Sequence, residues 1–124
     1  MAHDRFVRWK NRRPSDADLR DVLTDYLGGC GAEIEEQAQP ESPHPWFFIT
    51  LPGKPTFPFG RLAEMVGSPR AEAMTECTER WFEVFVADDY VDVITRRGDE
   101  FTSVVARGFA ALCARFWGGE MEEG

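Results

Sequence analysis

The chain has two histidines, His3 and His44, two lysines and one asparagine. So few imidazoles exclude a His-Glu-x-x-His zinc helix, and any multi-histidine metal site would need both of them. Its three cysteines, Cys30, Cys77 and Cys113, are odd in number and widely separated, with no Cys-x-x-Cys or Cys/His cluster. That usage excludes a disulfide framework and fits a reducing, cytoplasmic setting. No stretch approaches the ~20 apolar residues of a membrane span, and the first thirty residues hold no signal-like apolar core. The cluster Gly28-Gly29-Cys30-Gly31 follows a helix end, where carbonyl dipoles repel anions, and it lacks the Lys and Ser/Thr of a phosphate loop. Neither a metal nor another cofactor is expected.

What is present is apolar material and acid. The 124 residues are 43% hydrophobic, with 10 Phe and 4 Trp, enough for one packed domain over residues 1–124. Net charge is -8, unevenly distributed. Residues 1–13 set Arg5, Arg8, Lys10, Arg12 and Arg13 against Asp4, a net +4, which leaves the rest of the chain at -12. An acidic body repels nucleic acid and anionic lipid and draws basic partners. The basic start, a strand within residues 4–13, reads as a sheet edge guarded by cations rather than a nucleic-acid arm.

Hydrophobic spacing gives the elements. Ser15 and Asp18 form a capping-box-like start, and Leu19, Val22, Leu23, Tyr26 and Leu27 recur at helical spacing, which predicts a helix over 16–28 closed by a left-handed glycine cap. Residues 32–38 and 46–51 read as strands, with Pro40, Pro43 and Pro45 favouring a loop between them over a tight turn. Residues 61–66 and 68–74 suggest short helical turns. Residues 80–86 and 90–95 alternate as a hairpin. Asp99 is placed to cap a long helix over 100–117, and Arg96 and Arg97 to pair with Asp99 and Glu100; Gly118 and Gly119 end the helix, and residues 120–124 read as a frayed acidic tail. The expectation is an α+β fold: a single-layer antiparallel sheet of four to five strands with both main helices on one face, in the order β-α-β-β-(short helix)-β-β-α.

Without its first strand, this order over residues 16–117 resembles that of small acidic bacterial secretion chaperones, which dimerise and bind effector segments. The resemblance rests on element order and carries no residues over.

Candidate functional residues follow from surfaces rather than from a reaction. Asp18, Asp21 and Asp25 recur along one side of the first helix as an acidic stripe. Asp88, Asp89 and Asp92 cluster near the hairpin turn without the alternation and central Gly of a calcium loop. Phe57 and Phe59 sit on a proline-stiffened loop, suited to anchoring a partner. Ala106, Ala110 and Ala114, with Trp117, form a small-residue ridge on the last helix, where either the first helix or a second copy of the chain can pack. These features predict a non-enzymatic domain that binds a basic protein partner, of the bacterial immunity, antitoxin or secretion-chaperone kind. The alternatives are a small enzyme or ligand-binding domain built on Cys30 and His44, and a structural homodimer.

Overall fold

A computed structural model describes residues 2–28, 31–52, 80–96 and 100–124. They form β1 (His3–Trp9), α1 (Asp16–Leu27), β2 (Glu33–Gln39), β3 (Ser42–Thr50), β4 (Trp81–Val86), β5 (Tyr90–Thr95), α2 (Glu100–Trp117) and β6 (Gly119–Glu123). The strands make one antiparallel sheet in the order β2-β3-β4-β5-β1-β6. The α+β class and both main helices stand as expected, but the sheet has six strands rather than four or five. The segments read as short helices, and the positions Phe57, Phe59, Arg97, Asp99 and Cys30, lie outside the described residues.

Helix α1 begins where Ser15 Oγ accepts a hydrogen bond from the Asp18 amide at 3.0 Å, satisfying a donor the first turn leaves open. Its apolar spacing buries Leu19, Val22, Leu23, Tyr26 and Leu27. Gly28 ends it in an extended conformation, φ -58°, while Gly29, the other residue expected to supply a left-handed cap, lies outside the described residues. Helix α2 does close on a left-handed glycine, Gly118 at φ +67°, which turns the chain back toward the sheet.

Strand alternation sorts the sheet into two faces. Val7, Phe47, Ile49, Phe82, Val84, Val86, Val91 and Val93 join the buried residues of both helices in one core cluster. Each fully buried large side chain there contributes about 1.5–3 kcal/mol relative to exposure. The alternate positions, including Phe6, Trp46, Phe48, Trp81, Phe85 and Tyr90, fall on the opposite face and are half-buried.

Three expectations change. The segment between β2 and β3 is a tight turn at Pro40 and Glu41, with Pro43 and Pro45 inside β3. Prolines are tolerated there because the ladder is already irregular: register shifts at Ala38 and Gln39, and the Gln39 amide donates to the Pro45 and Val86 carbonyls at 3.1 and 2.7 Å. The basic first strand is not a sheet edge, since β1 lies between β5 and β6. Nor do residues 120–124 fray: Gly119–Glu123 form β6 against β1. There Lys10 pairs with Glu120 at 3.3 Å, Arg8 with Glu122 at 3.1 Å, and Arg5 and Arg107 with Glu123 at 3.7 and 2.9 Å. The cations of the first strand are thus matched by acids of the last.

Candidate functional site

Among the described residues, the acidic stripe of α1 has no basic partner. Asp21 is exposed, and Asp18 and Asp25 are half-buried. Burial of Asp25 Oδ2 without a hydrogen-bond partner adds to that imbalance. Beside the stripe, Arg20 makes a two-pronged bridge to Glu36 of β2, at 2.6 and 2.9 Å, tying helix to sheet edge. Those bonds hold the Glu36 carboxyl below its usual range. Glu33, Glu35 and Glu41, on β2 and its turn, are exposed and make no ion pair with a described residue.

By contrast, the described cations are largely spent. Arg5, Arg8, Lys10 and Arg107 face β6; Arg13 pairs with Asp16, Arg20 with Glu36, and Arg96 with Glu83 at 2.5 Å. The surplus negative charge therefore lies on α1, β2 and the two turns.

The three aspartates near the hairpin turn are separated by the fold. Asp89 is exposed, and its carbonyl accepts from the Trp9 amide at 3.1 Å. Asp92 is 8% exposed on the sheet face opposite the helices, a position that removes it from electrostatic steering. Burial, then a hydrogen bond and repulsion from Asp4, push its carboxyl up to about 7. Asp88, 91% exposed, reaches back to His44.

Around His44 lies the site that local sequence did not reveal. The imidazole, 8% exposed rather than presented on a loop, sits between two carboxylates: Nδ1 is 3.1 Å from both oxygens of Asp16, and Nε2 is 2.7 Å from Asp88 Oδ1. A neutral ring has one donor, whereas two carboxylates call for two, so this arrangement favours imidazolium. The hydrogen bond with Asp16 is the main cause that raises His44 above its ordinary value. Arg13 stands 3.3 Å from Nε2 and 3.4 Å from Asp16, so a second cation lies against the imidazole and its charge partly offsets the rise that the carboxylates cause. An adjacent cleft of about 190 Å³ is lined by Asp16, Arg20, Glu36, Gln37, Ala38, Pro43, His44 and Pro45. Its charged groups already bond one another.

No family model, curated protein or solved structure matches the chain.

With both nitrogens facing carboxylates, the imidazolium has no lone pair with which to take a proton from a thiol. Among the described residues no three of His, Cys, Asp and Glu are placed to hold a metal, and no helix is long and apolar enough to cross a membrane. Cys113 is fully buried, and burial pushes its thiol up. On α2 the ridge residues Ala106 and Ala110 have no exposed surface, Ala114 is half-buried, and Trp117 packs edge-on against Trp9 at 6.1 Å. Ala106 and Ala110 thus serve packing within the chain.

Proposed function

We propose that the protein is a non-enzymatic binding domain whose acidic surface receives a basic protein partner, in the manner of an immunity protein, an antitoxin or a secretion chaperone. The observation that carries this reading is the asymmetry of pairing. Most described cations are matched inside the fold, while Asp18, Asp21, Asp25, Glu33, Glu35 and Glu41 are matched by none. Uncompensated carboxylates on adjacent helical turns repel by a few tenths of a kcal/mol each, a cost that a cationic surface relieves on docking.

The test is capture from a lysate of the source cells, with the recovered protein identified by mass spectrometry. We expect a basic partner whose association slows as salt rises and slows again in the double variant Asp21→Lys, Asp25→Lys. Capture indifferent to both changes would reject the charge mechanism. The surface that Phe57 and Phe59 are expected to add is tested in the same assay by Phe57→Ala with Phe59→Ala.

A further inference from the structure

On the sheet face away from the helices, the β2–β3 turn stands over the rings of β3 and β4 and leaves a recess of about 380 Å³. The described residues lining it are Gln39, Pro40, Glu41, Ser42, Trp46 and Phe85. We infer that this recess receives an arginine side chain of the basic partner, an inference that rests on the binding role proposed above and gives it a point of contact.

The chemistry of the lining is one-sided. Trp46 and Phe85 meet at 87° with centroids 5.2 Å apart, and Phe48 stacks on Trp46 at 5.1 Å and 30°, which fixes the indole before anything docks. Both amide-nitrogen hydrogen bonds of Gln39 go to backbone carbonyls, leaving its carbonyl oxygen as an acceptor. Ser42 Oγ accepts from the His44 amide at 3.2 Å. Glu41 at the rim is an exposed carboxylate with no basic partner among the described residues. The recess thus offers aromatic surface, an amide acceptor and one negative charge, and none of its described lining residues is basic. A guanidinium, planar, always charged and carrying only donors, complements each of these; an ammonium lacks the plane that stacks.

The same sheet face already holds one such arrangement. Arg8 lies over the rings of Phe6 and Tyr90, 5.7 and 5.5 Å from their centroids, with Glu122 at 3.1 Å from its Nε. Two rings and a glutamate there hold the chain's own arginine. At Trp46, Phe85 and Glu41 the rings and the glutamate are provided, and the arginine is to come from outside. The volume suits one long side chain with part of its neighbours, near the low end of ligand pockets.

The experiment titrates the full chain with an (Arg-Gly)5 peptide and reads the Trp46 indole N–H by NMR, assigned through Trp46→Phe. The expected result is a saturable shift of that resonance, about tenfold weaker binding in Phe85→Ala, and weaker binding in Glu41→Lys, whose exposed turn position leaves folding intact. A (Lys-Gly)5 peptide is expected to bind several-fold more weakly than its arginine counterpart. Binding that shifts Asp21 and Asp25 but leaves Trp46 and Glu41→Lys indifferent overturns the recess while sparing the acidic-binder reading. Equal affinity for the two peptides overturns the arginine assignment. No binding by either peptide, together with lysate capture that is insensitive to salt, overturns both.

Discussion

The hydroxyl of Tyr26 occupies the space a side chain at Gly108 would need. A Cβ built there would lie 2.3 Å from Tyr26 Oη, which donates to the Val105 carbonyl at 2.9 Å. Helix α1 is keyed into α2 at this point, through one buried phenol and one missing methyl.

Gly108→Ala is therefore expected to destabilise. Displacing the phenol and its hydrogen bond outweighs the ~1 kcal/mol of helix propensity gained, for a net loss of about 1–2 kcal/mol in urea unfolding. Tyr26→Phe removes the colliding atom, because the next ring carbon lies at an ordinary 3.4 Å. The double variant should recover more stability than the single effects sum to. Strict additivity would show that the two positions do not meet.

The His44 cluster sets a pH dependence. Because the folded pKa is raised above 6.5, the stabilisation is fully present below that value and is lost as pH rises through the folded pKa. Urea midpoints for the native chain and His44→Gln should differ at pH 6 and converge at high pH. A constant difference would mean that the ring contributes by packing alone.

Asp92 acts over a lower window with the same sign. Its carboxyl titrates near 7 in the fold and near 3.8 when free, so the folded chain holds an extra proton between these values. Its contribution to stability falls as pH rises from about 4 to 7 and is flat above. Asp92→Asn should flatten that slope, and Asp4→Asn should lower the Asp92 pKa measured by carboxyl NMR. An unchanged Asp92 titration in Asp4→Asn would exclude the coupling.

Gly119 is expected to tolerate no side chain. A Cβ would lie 2.7 Å from Val7 Cγ1 and 3.1 Å from the Arg8 carbonyl. Gly119→Ala should loosen β6 and speed amide exchange along β1, whereas Glu120→Gln, which removes an exposed pair with Lys10, should cost at most ~1 kcal/mol. Equal exchange in both variants would contradict the close approach.

How much of this was legible depended on range along the chain. Helix α1, helix α2 and the β4–β5 hairpin carry local signals: the Ser15 cap, the Leu19-to-Leu27 period and the alternation around Val84 and Val93. Strand β6 has no such signal, because Gly-Glu-Met-Glu-Glu has poor strand propensity and is held by cations more than a hundred residues away. Asp16, His44 and Asp88 likewise meet only through the fold. Locally, Asp16 suits the positive end of a helix and Asp88 a turn, so neither hints at the imidazole between them. Prolines at 43 and 45 argued for a loop because the Gln39 amide that steadies the irregular ladder cannot be foreseen from spacing.

The placement of β1 between β5 and β6 bears on how the molecule is made. As the chain leaves the ribosome, His3–Trp9 emerges well before its neighbours in the sheet, residues 90–95 and 119–123. Strand β1 must wait for more than a hundred further residues before it can be zipped in on both sides, and such long-range closure is slow. Its positively charged, aromatic residues spend that interval without their glutamates, so the nascent chain is least protected at this strand.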